Sequence, residues 1–494
     1  MTPSTSADSP AGNAPPGVDY ARKWWVMLAV AMGIFLGTID GSIVNVALPT
    51  LVESFHTTFA HVQWVVLGYL LTLASLVLGI GRLGDIVGKK PIYTVGFGLF
   101  TLGSVLAGLS PSVGWLIGLR VFQALGAAMV FALGFAIITE AFPPAQRGRA
   151  LGIGGAIVSV GIVIGPTLGG FLIDSLGWRW IFFVNLPIGI VGTWTAARFV
   201  PNIPPPGGER FDFVGAGAFF TALLSLMLGL TFGQLRGFAD GLVLGLLGFG
   251  LAALAAFIAI ERRVEQPMLD LSMFRNRLLS VNLFTGWASF AAIAGLLVLL
   301  PFYLENVLGY SPREVGLLLA SAPLALGLAA PVSGSLSDRV GPRPVTVAGL
   351  AVLLCGYLLM LTLDLETSAL HYLLVLFPVG LGMGIFQSPN NSAIMGSVPQ
   401  QRLGVTSGLL TITRITGQLS GISILGAVWA ARVGAHSSTA GEPSAAAHAA
   451  QVAGLHDTIL VVVALIAGSL TLAVWGLVIE RRRKIEAPGP TASE

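Results

Sequence analysis

Charge is what this chain has least of. Only 10% of its 494 residues are charged, against about a quarter in an ordinary soluble domain. A soluble chain of this length would divide into roughly three domains, each needing its own polar surface. Its 26 basic and 23 acidic residues are too few to wet such surfaces. One cysteine, Cys355, excludes an intramolecular disulfide, and metal clusters of the Cys/His type go with it. The net charge of +3, with no basic block interleaved with aromatics, gives no footing to nucleic acid. No HExxH, GxSxG or P-loop occurs, so hydrolytic and ATP-driven chemistry find no motif. The polar, Pro- and Ser-rich first 20 residues lack the apolar core of a signal peptide, so the first apolar run is expected to be retained.

What the chain has instead is apolar length. Hydrophobic residues make up 54% of it, and its 64 glycines sit inside apolar runs rather than polar tracts. A spanning helix needs about 20 mostly apolar residues. Runs of that kind lie near 24–50, 61–81, 91–109, 112–139, 149–173 and 178–198, then 212–232 and 240–260. Six more follow near 278–305, 314–336, 344–363, 371–396, 403–431 and 457–479. The chain is therefore expected to be an all-α polytopic membrane protein with fourteen spans. Basic residues test that count, because they favour the cytoplasmic side of short loops. With both termini cytoplasmic, only Arg179, Arg236, Arg313 and Arg432 fall outside, and Arg120 and Arg414 fall within helices. A miscounted helix would scramble the bias beyond the error.

The chain also repeats itself. Residues 81–90 read GRLGDIVGKK and residues 334–343 read GSLSDRVGPR. A shift of 253 superposes Gly81 on Gly334, Leu83 on Leu336, Asp85 on Asp338, Gly88 on Gly341 and Lys90 on Arg343. Both copies leave an outside-to-inside helix, the second and the tenth. Two six-helix halves would separate them by six helices rather than eight, so the pair at 212–232 and 240–260 reads as an insertion. The expected organisation is a disordered cytoplasmic tail over 1–22, a six-helix bundle over 23–198 and a linker with two inserted helices over 199–277. A second bundle over 278–480 and a cytoplasmic tail over 481–494 complete it. Parallel halves are a known transporter plan. Glycines in the repeat allow tight turns and close helix approach, giving it a conformational role.

These segments resemble the major facilitator superfamily, in particular its fourteen-helix drug:proton antiporters. GRLGDIVGKK looks like the signature loop, with Ile86 where a basic residue is usual; the second copy keeps Arg339. IDGSIVNVALP at 39–49 is similar to the first-helix motif. RVFQALGAA at 120–128 matches the arginine motif, with Ala124 where glycine is usual. GIVIGPTLGG at 161–170 resembles the antiporter motif, with Gly161, Gly165, Pro166, Gly169 and Gly170, and WRWIFFVNLPIG at 178–189 is similar to a stretch of the fourteen-helix branch. The resemblance implies two six-helix bundles in the major facilitator fold, with no cofactor beyond the proton gradient. It also implies a monomer in the plasma membrane exchanging protons for amphiphilic small molecules.

Among the acids, only Asp40 lies well inside a span. A charged residue there costs roughly 2.5–3.5 kcal/mol on insertion scales and marks a function by default. Gly33, Gly37, Asp40, Val44 and Ala47 share one helix face, so Asp40 should point into the bundle as a proton carrier or as a structural aspartate. Arg120 lies at a depth matching Asp40 within about two residues, or roughly 3 Å at 1.5 Å per residue. A charge pair extended by Gln123 is feasible, with packing or snorkelling of Arg120 as the alternative. Glu140, near the cytoplasmic end of its helix, reads as solvated, or as a second proton site. Arg414 has no acid at its depth and is expected to face Gln387, Asn390, Asn391 and Gln418. Trp64, Tyr69, Phe122, Trp287 and Phe386 are candidate cavity walls, though each taken singly reads more readily as packing or lipid-facing. The leading expectation is proton-coupled efflux of lipophilic, neutral or monocationic compounds by alternating access. Export of a dedicated metabolite, lipid or siderophore is the runner-up. A channel is disfavoured by the parallel repeat, and an intramembrane enzyme by the lack of a catalytic constellation.

Overall fold

The computed structural model describes residues 20–143, 146–203, 212–264, 267, 271–397, 403–437 and 443–486. Most of the 1–22 tail and residues 487–494 of the second tail lie outside them, as do Arg210 and Arg402 and the side chains of Asp85 and Asp338. Secondary structure throughout the described residues is helical. An apolar chain in hydrocarbon must satisfy its peptide groups internally, and a helix does so segment by segment.

The first group holds α1 (Lys23–Ser54), the short α2 (Phe59–Val62), α3 (Trp64–Val87), α4 (Lys89–Gly108) and α5 (Val113–Ala141). It continues with α6 (Arg147–Leu176), the short α7 (Trp180–Phe183) and α8 (Asn185–Phe199). Then come α9 (Phe213–Arg236) and α10 (Gly241–Glu261). The last group is α11 (Arg277–Phe302), α12 (Pro312–Leu319), α13 (Ser321–Val340), α14 (Pro342–Leu359), α15 (Ala369–Gly396), α16 (Leu403–Ser437) and α17 (Pro443–Glu486). Among the described residues, twelve helical segments are long and apolar enough to cross a membrane. The 30-residue α6 and the 35-residue α16 are long enough as well, consistent with fourteen spans. The expected span at 457–479 is corrected at its start, since α17 begins at Pro443. Its Ala-rich opening turns are good helix formers without being continuously apolar, so hydropathy marks only the later part.

In the first group α1 packs on α5, α6 and α8, while α4 packs on α5 and α8 and α3 on α5. The last group repeats the plan: α15 packs on α13 and α14, and α16 on α11 and α17. Helices α9 and α10 pair with each other, Phe219 against Phe257 at 5.1 Å. Helix α9 also touches α3 and α16, so it bridges the two groups. The outer face of α10 shows Leu242, Leu244, Phe249 and Leu251, all exposed, as a lipid-facing helix requires.

The sequence repeat is also a backbone repeat. Gly88 ends α3 at φ +102°, and Gly341 ends α13 at φ +88°. Each donates its N–H to the residue four before it, Gly88 to the Gly84 carbonyl at 3.0 Å and Gly341 to that of Ser337 at 2.9 Å. With ψ near 150°, this conformation belongs almost wholly to glycine, which explains the residue at both positions.

The two groups meet at the end of the bundle opposite Gly88 and Gly341. There Phe59 sets its ring edge-on to Phe302 at 5.2 Å and to Trp429 at 5.1 Å. Gly170 of α6 lies against the backbone of Pro312, and Gly316 against that of Pro166, so closely that a Cβ at either would collide.

Candidate functional site

Asp40 is held in place by small residues on both sides of it. Gly33 lies against Tyr93 and Val130, and Gly37 against the ring of Phe131. From α6, Gly161, Gly165 and Gly169 meet Thr38, Ser42 and Ile43 in turn. The Ser42 hydroxyl donates to the Gly161 carbonyl at 3.3 Å. The glycine stripe, with its four-residue period, thus clamps the turns of α1 that carry Asp40. Small residues permit such close approach where no hydrophobic effect drives helices together.

The carboxylate is completely buried, and so is the guanidinium opposite it. Arg120 Nη1 donates to Asp40 Oδ2 at 2.6 Å, with relative exposures of 1% and 0%. The same nitrogen donates to Gln123 Oε1 at 2.8 Å, and Arg120 Nε donates to the Val65 carbonyl at 3.2 Å. The second carboxylate oxygen, Oδ1, accepts from Gln123 Nε2 at 2.9 Å and from Asn185 Nδ2 at 3.1 Å. Tyr69 lies under the guanidinium, its ring centroid 4.1 Å from Arg120 Cζ. Five helices therefore converge on one acid: α1 with Asp40, α3 with Tyr69 and Val65, α5 with Arg120 and Gln123, α8 with Asn185, and α4 through Ser104. A buried charge left without its partner costs about 3–5 kcal/mol. As an ion pair the cluster is neutral. A proton on Asp40 would leave Arg120 as its only charge.

The expected triad of Asp40, Arg120 and Gln123 is therefore assembled in one place. Asn185 and Ser104 escaped the sequence reading, although Asn185 stands in the quoted WRWIFFVNLPIG as a polar residue within an apolar run. Tyr69, a candidate cavity wall, lies buried beneath the Arg120 guanidinium. Glu140 is paired, its Oε1 2.7 Å from Lys89 Nζ, rather than simply solvated. Hydropathy missed this because the partners lie 51 residues apart.

The other expected cavity residues are scattered. Phe386 is buried in the core, where its backbone packs on Gly349, and Trp64 packs against the same core. Trp287 stacks on exposed Phe284 at 5.8 Å, and Phe122, Gln387 and Arg414 are half-buried. Asn390 donates to the Asn282 carbonyl at 3.1 Å, and its own Oδ1 is buried without a partner. In the repeat, Gly81 and Gly334 are half-buried and Arg339 is exposed.

A family model of the Major Facilitator Superfamily matches residues 30–422. The chain belongs to that superfamily. The transporter is 35% identical to the riboflavin transporter RibZ of Clostridioides difficile (strain 630), over 80% of this chain and 85% of the relative. It is 36% identical to the multidrug resistance protein Stp of Mycobacterium tuberculosis (strain CDC 1551 / Oshkosh), over 82% and 75% of the two chains. The multidrug transporter protein MdtP of Bacillus subtilis (strain 168) is 30% identical, over 84% and 76%. Among solved structures, a bacterial homolog of the human lysosomal transporter Spinster in an inward-facing, unoccupied conformation superposes with a TM-score of 0.65. That likeness covers 94% of this chain and 98% of the other at 18% identity, and it speaks for the fold alone.

Proposed function

We propose that this transporter is a proton-coupled antiporter exporting lipophilic, neutral or monocationic compounds by alternating access across the plasma membrane, with both termini in the cytoplasm. The observation that carries the reading is the fully buried Asp40–Arg120 pair. Asp40 is the proton carrier, Arg120 its electrostatic partner, and Gln123 bridges the two. The glycines of α6 and of the two repeated loops allow the halves to rock. In the arrangement described, the Phe59–Phe302–Trp429 and α6–α12 contacts close the end read as outer, and transport requires them to part. Glu140, tied to Lys89, acts in holding α4 to α5 rather than in carrying protons.

Substrate charge follows from the same pair. A cation in a low-dielectric cavity needs a compensating carboxylate, and Asp40 is already shared with Arg120. Neutral and monovalent amphiphiles are therefore expected to be carried in preference to divalent ones. The relation to the riboflavin transporter favours a second reading, in which a dedicated metabolite is moved. Proteoliposomes with an imposed pH gradient decide between them. Transport of mono-quaternary dyes above matched bis-quaternary ones supports the multidrug reading. Transport of a flavin with no competition from the dyes supports the other. Equal carriage of bis-quaternary compounds would place a second acid in the cavity and overturn the assignment of Asp40 as its only one.

A further inference from the structure

Asn185 is fully buried, and its two ends are treated differently. Its Nδ2 uses both hydrogens, one toward Asp40 Oδ1 at 3.1 Å and one toward Ser104 Oγ at 3.0 Å. Its carbonyl Oδ1 is buried with no hydrogen-bond partner. An orphaned buried acceptor costs about 1–3 kcal/mol, and the opposite amide orientation would not recover it. Turned over, Oδ1 would face the Asp40 carboxylate, two acceptors with no proton between them. This orientation is the one that suits a carboxylate at Asp40, and it leaves the carbonyl unused.

Protonation reverses the requirement. A protonated carboxyl carries one O–H donor, and among the groups around Oδ1 that donor needs an acceptor. Gln123 turns its Nε2 to Asp40 Oδ1 at 2.9 Å, and one lone pair of its Oε1 is taken by Arg120 at 2.8 Å. Asn185 has a free acceptor. We infer that the Asn185 side-chain amide is a two-position switch that reads the charge of Asp40. It donates through Nδ2 to the carboxylate and turns over to accept through Oδ1 from the carboxylic acid. It is a positioning residue, and the inference rests on the reading of Asp40 as the proton carrier.

The rotation has somewhere to go. Ser104 Oγ accepts from Asn185 and donates to the Phe182 carbonyl at 2.8 Å. When the amide turns, Oδ1 also comes to face Ser104, whose hydroxyl then has two acceptors to choose between, Asn185 and Phe182. The charge state of an acid on α1 is thereby coupled to the α7–α8 corner through a chain of side chains from α8 and α4. The ionisable groups facing Asp40 are Arg120 from α5 and Tyr69 from α3. Tyr93 of α4 lies beside Gly33, two turns away, and Glu53 lies at the far end of α1. From α6 and α8 the facing groups are glycines and Asn185 itself.

The test measures proton-driven transport against pH in proteoliposomes for wild type, Asn185→Leu and Asn185→Ser, with Asp40→Asn as the reference for lost coupling. Leucine keeps the volume and removes both donor and acceptor. The lost bond to the charged form is the stronger of the two, so the pH midpoint of transport should rise by about one unit. Serine carries one hydroxyl that can donate or accept by rotation, and should return the midpoint toward wild type. Infrared difference spectra should show the Asp40 acid C=O band shifted to higher frequency in Asn185→Leu, where its O–H has lost its acceptor. A wild-type midpoint and band position in the leucine variant would overturn the switch. Should leucine prevent folding, Asn185→Ala, which also lacks donor and acceptor, takes its place, and a wild-type midpoint and band position there would overturn the switch equally. Pumping by Asp40→Asn at the wild-type rate would instead refute the proton-carrier reading and leave the hydrogen-bond geometry standing.

Discussion

The two halves of this transporter share a backbone plan and differ in their chemistry. The shift of 253 residues that brings Gly88 onto Gly341, both at positive φ, carries Asp40 onto Ile293, Arg120 onto Leu373 and Gln123 onto Leu376. The first half thus buries an ion pair where the second has aliphatic side chains. In the second half the intramembrane cation is Arg414, half-buried, and no acid among the described residues pairs with it. The lesson is a division of labour. On the proposed antiport, turns and close helix contacts are kept in duplicate for both halves to rock, whereas one titrating cluster is enough to couple that motion to a gradient.

The sharpest way to break this comparison is Asp40→Asn. The amide keeps the shape and the hydrogen-bonding reach but cannot exchange a proton, so gradient-driven transport should fall to background, while the unpaired Arg120 lowers stability without preventing insertion. Proteoliposome flux, alongside the elution profile of the purified variant, measures both. Next in size is a matched pair of arginine replacements. Arg120→Leu strands a buried carboxylate and should lower stability by about 3–5 kcal/mol, whereas pairing it with Asp40→Asn should recover most of that loss. Arg414→Leu removes a cation without a paired acid and should cost far less. Thermal unfolding in detergent would refute the asymmetry if the two arginines proved equal.

The duplicated turns should behave alike. Gly88→Ala and Gly341→Ala each force a side chain into a glycine-only conformation, for about 1–3 kcal/mol apiece. Unequal losses in the same unfolding assay would mean that the repeat is not mechanically symmetric. The smallest effects are expected at the acids of the same loops. Asp85→Asn and Asp338→Asn should slow interconversion of the two faces by fluorescence while ligand affinity holds. Lost affinity with unchanged exchange would move these residues to the binding site.

Much of this was legible in the chain before any coordinates. Spans, inserted pair and repeat follow from hydropathy, basic residues and the 253-residue shift, because lipid imposes one length and one kind of helix. Asp40 and Arg120 could be matched by depth, since rise per residue is fixed along a helix. Lateral position is another matter. Whether Gln123 reaches the acid depends on helix rotation and neighbour order, which a depth count does not carry. Asn185 was visible as a polar residue in an apolar run but is uncharged, so burial alone did not single it out. The aromatic candidates divide for a related reason: Tyr69, Trp287 and Phe386 look alike in sequence, yet one underlies a guanidinium, one stacks on an exposed ring and one is core.

The neutrality of the buried pair has a consequence for membrane voltage. A unit charge crossing the full potential gains or loses about 2.3 kcal/mol per 100 mV. On the proposed cycle the unloaded centre has no net charge, so voltage does no work on it as the halves rock. A proton on Asp40 uncovers the charge of Arg120, and that leg of the cycle moves one positive charge. A monovalent cationic substrate on the return leg moves the same charge back, and the exchange is electrically silent. A neutral substrate returns none. The same protein should then carry current with neutral cargo and none with monocations, so holding the membrane at different potentials would sort its substrates by charge without changing a residue.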